Sequence, residues 1–261
     1  MSNETFLISV RQNNDLSDIA VAELRMDLLL HPLHQRNYIE LAALAGNSRQ
    51  YGINLLTSQA NQLTGKKVLF LGSSVTLGYG ALGESFVDYL WKKTGLEAIK
   101  NAENGTTLTE KDSYYPGDSY IGRFKQELMQ NEDLDLLVLQ LSTNDAQKGL
   151  PLGSDQDEAA RNTKTIRGAL NYVISAAKIK WQCPILIYSN PYFANENYAK
   201  MVQAATILCQ KKQVQLLDLY HDQRFMNQGE LYQADEIHPT RAGYRDLWLP
   251  VFEAKFKEIL S

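Results

Sequence analysis

A serine, a glycine, an asparagine and an Asp-x-x-His pair stand where acyl-transfer chemistry could be assembled. Ser74 follows the apolar run Lys67-Val68-Leu69-Phe70-Leu71, which ends abruptly in Gly72-Ser73 and leads into the helix-like Val75-Thr76-Leu77. That pattern is a strand, a tight turn and a helix, and a serine on such a turn can hold its hydroxyl clear of the sheet beside backbone N–H groups. Serine is a weak nucleophile, so a neutral imidazole must take its proton and a carboxylate must hold that imidazole in one tautomer. Asp235 and His238 share one short segment before a helix, where a single turn can aim both side chains the same way. Asn104-Gly105-Thr106-Thr107 and Ser142-Thr143-Asn144-Asp145 offer donors for a developing oxyanion. Taken alone, the Ser74 turn also reads as an ordinary polar loop, so the four segments matter together.

The elements that must gather them follow from periodicity. From Lys66 onward strands alternate with helices, the signature of a parallel sheet covered by helices. The expected strands are 68–71, 98–102, 134–141, 184–189 and 214–219, and the third is apolar enough to be central and buried on both faces. Helices are expected over 85–94, 120–129, 157–178, 198–212 and 240–260. Ligands in such sheets bind beyond the carboxyl ends of the strands, which is where Ser74, Gly105 and Asn144 fall. Residues 1–64 read as a helical N-terminal extension and 65–261 as the main domain. Within the extension, helices are expected over 18–30 with Asp18 as cap, over 38–45 behind an Asn37/Glu40 capping box, and over 49–63. A single helical hairpin cannot bury its own apolar face, so the extension is expected to pack on the main domain, with protein contact or homo-oligomer formation as the role open to it.

Composition bounds the function. Hydrophobic residues make up 44% and charged residues 21% of 261 residues, as in an ordinary globular protein. A net charge of -4 and a pI near 5.6 supply no basic surplus for phosphates, so nucleic acid is not an expected partner. The start lacks the basic region and long apolar core of a secretory signal, and no apolar run reaches membrane-spanning length. Cys183 and Cys209 have neither metal nor redox spacing. A cytoplasmic protein with reduced thiols, no membrane partner and no metal or organic cofactor is the expectation.

The order and wording of the segments resemble the SGNH hydrolases, the GDSL-type esterases and lipases, over about residues 66–260. Gly72-Ser73-Ser74-Val75-Thr76 resembles that family's first block, with Ser74 matching the nucleophile. Gly105 and Asn144 match the second- and third-block residues whose backbone N–H and side-chain amide complete the oxyanion hole with the Ser74 N–H. Asp235 and His238 match the closing Asp-x-x-His. The resemblance implies a flavodoxin-like three-layer α/β/α fold with a five-stranded parallel sheet. It also implies a serine esterase that forms an acyl-Ser74 intermediate. Two positions depart from the family: Ser73 stands where aspartate is usual, and Ser142 where glycine is usual and a Cβ could obstruct a close approach or a positive φ. The polar strand-end loops point to a short acyl group on a small polar or carbohydrate alcohol, with lysophospholipid or thioester cleavage as the alternative within the family.

Rival readings are few. Gly78-Tyr79-Gly80-Ala81-Leu82-Gly83 spells G-x-G-x-x-G, with Glu103 placed for a ribose, which would make a dinucleotide-binding oxidoreductase. The fingerprint's first glycine should directly follow the strand, yet Gly72 to Leu77 intervene. A catalytically inactive binding protein is the other alternative. His31, His34 and His221 read as capping, surface or loop groups, and Tyr79, Tyr114 and Tyr115 as either site-lining or loop-anchoring aromatics.

Overall fold

Five strands, β1 (Lys67–Gly72), β2 (Glu97–Ala102), β3 (Leu136–Gln140), β4 (Ile185–Tyr188) and β5 (Gln215–Leu217), form one sheet in the order β2-β1-β3-β4-β5. The computed structural model describes residues 2–113, 115–226 and 228–261; Tyr114 lies outside them. Val68 pairs with Leu136, Leu137 with Ile185 and Leu186 with Gln215, all in parallel register. This is the flavodoxin-like order, and the class read from the sequence is the one observed. β3 is central, and all five of its residues are buried. The edge strands β2 and β5 are only partly buried, matching their more polar sequences.

The chain divides into two compact units. One comprises Lys66–Ser73 and Ile99–Met226 and holds most of the sheet. Its helices Tyr120–Gln130, Ile166–Lys180 and Glu196–Lys212 pack side by side, capped by Ser119, Thr165 and Asn195. The helix expected over 157–178 is broken. Asp155–Ala160 ends at Arg161, whose φ is 56°, and a new helix starts behind the Thr165 cap.

The other unit comprises Met1–Gly65, Ser74–Ala98 and Asn227–Ser261. Helices Asn3–Asn14, Asp18–Leu30 and His34–Ala42 bury Phe6, Leu7, Val10, Leu24, Leu28 and Leu41 in one cluster that includes Leu82 and packs on Tyr79 and Ala234. Several local expectations are corrected here. The first helix had no expectation at all and begins at a Ser2 cap. Ser17, not Asp18, caps the second, its hydroxyl accepting from the Ala20 N–H. Asn37 lies inside the third helix rather than capping it. Residues 49–63 form two short 3-10 turns, Arg49–Tyr51 and Ile53–Leu55, and then irregular chain that enters a turn closed by the Thr64 N–H on the Asn61 carbonyl. At the other end the helix expected over 240–260 is observed from Arg241 to Ile259, with one π turn over Tyr244–Trp248 within it. Phe86, Trp248 and Phe252 stack there, with Phe86 and Phe252 centroids 4.0 Å apart.

Candidate active site

Ser74 opens the four-residue helix Ser74–Leu77 directly after β1 and is almost wholly buried. Its hydroxyl lies 2.8 Å from His238 Nε2. On the far side of the ring, His238 Nδ1 is 2.8 Å from Asp235 Oδ2 and 2.9 Å from Oδ1. The Asp-x-x-His spacing produces this because the segment turns back on itself: Asp235 Oδ1 also accepts the main-chain N–H groups of Ile237 and His238, each at 2.8 Å. Burial pushes the Asp235 carboxyl up, but the His238 ring and these two N–H groups pull it further down, so the net position is below the usual carboxylate range. A carboxylate thus kept ionised can hold an imidazole with Nδ1 protonated and Nε2 facing the serine. The structure therefore brings Ser74, His238 and Asp235 into one hydrogen-bonded line.

Gly105 and Asn144 belong to the unit that contains the sheet, and each is placed by neighbours the sequence did not single out. Gly105 has a φ of 72°, which glycine adopts without strain, and Lys148 Nζ donates to its carbonyl at 2.9 Å. Asn144 Nδ2 donates to the Thr106 carbonyl at 2.8 Å and lies 3.3 Å from the hydroxyl of Ser73, the residue before Ser74 in the chain. Asp145 fixes the loop beyond: its carboxylate accepts the N–H groups of Leu108 and Thr109 at 2.7 and 3.1 Å and the Thr109 hydroxyl at 2.8 Å.

The other candidates have different settings. His34 Nδ1 meets Asp27 Oδ2 at 2.8 Å, and His221 Nδ1 meets Asp218 Oδ2 at 2.7 Å on an exposed loop. Glu103, placed for a ribose in the dinucleotide reading, accepts from the Tyr115 hydroxyl at 2.9 Å. The three glycines of that reading shape a turn instead. Gly78 and Gly83 have φ values of 95° and 85°, and a Cβ on Gly80 would stand 2.7 Å from His238 Cβ.

The family model described as GDSL-like Lipase/Acylhydrolase family matches residues 70–245. The chain belongs to this family. It is accordingly a hydrolase of the lipase and acylhydrolase type. No curated protein sequence matches it. Among solved structures it is similar to a protein from Lactobacillus plantarum (22% identity, TM-score 0.63, 75% of this chain and 98% of that one). It is also similar to the native aryl esterase of M. smegmatis (17% identity, TM-score 0.57, 74% and 99%). These likenesses show the fold, the three-layer α/β/α arrangement of the GDSL-like family with added N-terminal helices.

Both departures from the GDSL-like pattern have a physical account. Ser73 is fully buried, and its hydroxyl takes hydrogen bonds from Tyr120 at 3.0 Å and Asn144 at 3.3 Å. Two acceptor positions serve these donors without burying a charge. Ser142 has a φ of -67°, so no glycine is needed, and its hydroxyl caps the helix Thr143–Gln147 by accepting from the Asp145 N–H.

Proposed function

We propose that the protein is a serine esterase that hydrolyses a short-chain carboxylic ester, an acyl group on a small polar or carbohydrate alcohol, through an acyl-Ser74 intermediate. The observation that carries the reading is the 2.8 Å contact between Ser74 Oγ and His238 Nε2, with Asp235 behind the ring. Ser74 Oγ attacks the ester carbonyl carbon as its proton passes to His238 Nε2. The carbonyl π electrons move onto oxygen, and the N–H groups of Ser74 and Gly105 and the Asn144 amide receive that oxyanion. Collapse breaks the bond to the alcohol oxygen, which leaves with the proton from His238. Water then attacks the acyl-serine, giving a proton to His238, and the second collapse returns that proton to Ser74 and releases the acid.

A fluorophosphonate tests the reading, because it phosphonylates only an activated serine. Wild-type protein is expected to gain one adduct on Ser74. Ser74→Ala should neither label nor turn over ester while keeping its melting temperature, with a rate loss of about a million-fold. Full labelling of the alanine variant would move the nucleophile elsewhere.

A further inference from the structure

The residues before position 70 lie outside the family match, yet they reach the candidate triad. Asn37, on the helix His34–Ala42, donates from Nδ2 to the Tyr79 hydroxyl at 2.7 Å. The Tyr79 ring packs on Tyr38 and His34, with centroids 5.3 and 5.4 Å away, and meets the His238 ring edge-on at 5.3 Å. Tyr38 and His34 are themselves fixed by Asp27, which accepts from the Tyr38 hydroxyl and contacts His34 Nδ1, each at 2.8 Å.

A second contact acts on the same turn. Asn47 is wholly buried; its Nδ2 donates to the Gly80 carbonyl at 2.8 Å and its Oδ1 accepts the Arg241 N–H at 2.9 Å. Gly80 lies so close to His238 that a Cβ would not fit. The N-terminal stretch thus grips the chain on both flanks of the imidazole, at Gly80 and at Arg241.

We propose that Tyr79, tethered by Asn37, is a positioning residue that keeps the His238 imidazole aimed at Ser74, making the N-terminal helices a working part of the active site. A cavity of about 320 Å³, lined in part by Asn37, Glu40, Tyr79 and Asp235, adjoins the Tyr79 ring. It is space into which an untethered ring could swing, leaving the imidazole free to follow. Burial pushes the Tyr79 hydroxyl above its ordinary value, so it stays a neutral phenol able to accept from Asn37. Geometry of this kind matters because a displacement of about 1 Å at a reacting group can cost roughly a hundred-fold in rate.

The inference rests on the triad reading above, so the experiment separates the two. Fluorophosphonate inactivation rates, and kcat and KM for p-nitrophenyl acetate, are measured for the wild type, Tyr79→Phe, Asn37→Leu and the double variant, with melting curves to confirm folding. Each single change should lower kcat and the inactivation rate about 3- to 10-fold with KM nearly constant. The double variant should be no slower than the singles, since both remove one bond. The low-field proton resonance of the His238–Asp235 hydrogen bond should broaden in all three. Wild-type rates in the singles, an effect confined to KM, or effects that multiply in the double variant would each overturn the positioning role. A wild-type protein whose Ser74 does not label removes the triad reading, and this inference with it.

Discussion

Asn144 Nδ2 has two hydrogens, one given to the Thr106 carbonyl at 2.8 Å and one to the Ser73 hydroxyl at 3.3 Å. In the proposed reaction the longer contact yields to the oxyanion while the Thr106 bond keeps the side chain in place. Asn144→Ala should therefore slow the acylation step by roughly a hundred- to a thousand-fold while changing substrate binding much less, as read by single-turnover kinetics. Asp235 makes a second prediction. Its carboxyl is held below the ordinary range, chiefly against burial and by the His238 ring with the Ile237 and His238 N–H groups. A depressed folded value means that its contribution to stability is present above the unfolded value of about 4 and is lost only as pH falls through the lower folded value. Asp235 thus stays ionised to below the ordinary carboxylate range. The difference in melting temperature between the wild type and Asp235→Asn should therefore hold constant above about pH 4 and narrow only below it, and a difference that already narrows above that pH would show that the carboxyl is not held down. Asp235→Asn should cost about ten-thousand-fold in kcat, because an amide can hold the wrong tautomer.

At the scale of elements, the sheet was legible because its evidence is local. An unbroken apolar run marks β3 as buried on both faces, and Ser85 and Ser119 stand at the starts of helices read from the sequence, whereas the Thr165 cap lies hidden inside the helix expected over 157–178. The Asp235–His238 pair was legible for the same reason, as one turn sets it. The fixing of Asn144 by Ser73 and Thr106, and of the 105–109 loop by Asp145, joins residues far apart in sequence, and no spacing records it. The hub that secures the N-terminal stretch was equally hidden. Glu84 and Arg241 form an ion pair at 2.7 Å with both side chains fully buried. Glu84 also accepts the N–H groups of Ser17 and Ile53, while Arg241 Nη1 donates to the Asn14 carbonyl. These bonds replace the helix expected over 49–63, because short turns bring Ile53 to the carboxylate where a straight helix would carry it past. Glu84→Ala should leave a buried guanidinium without its counter-charge, which costs about 3–5 kcal/mol. Urea unfolding monitored by circular dichroism measures it, and a loss under about 1 kcal/mol would mean that water reaches the pair.

At the scale of the whole molecule, the proposed ester chemistry turns on the length of the acyl group. Each CH₂ of an acyl chain moved from water to an apolar wall contributes about 0.8 kcal/mol, or roughly a four-fold gain in kcat/KM, so four added carbons would raise it by about two-hundred-fold. Such a gain needs a long apolar wall. Thr106, Thr107 and Thr109, in the loop after β2, are buried, and all three commit their hydroxyls to hydrogen bonds within the protein. The cavity beside Asp235 is lined by Asn37, Glu40 and Tyr79 together with Leu41 and Leu44, a mixed polar and apolar wall. Among the described residues no helix is long and apolar enough to cross a membrane. Such walls offer a long chain little apolar surface to bury, so added length should bring no comparable gain. With p-nitrophenyl esters of increasing acyl length, kcat/KM is expected to be highest from acetyl to butyryl and to decline beyond. Esters of a polyhydroxylated alcohol should surpass those of a simple alkanol with the same acyl group. A profile that instead climbs about four-fold per carbon as far as eight carbons would require an apolar channel and would decide for cleavage of long-chain lipid esters.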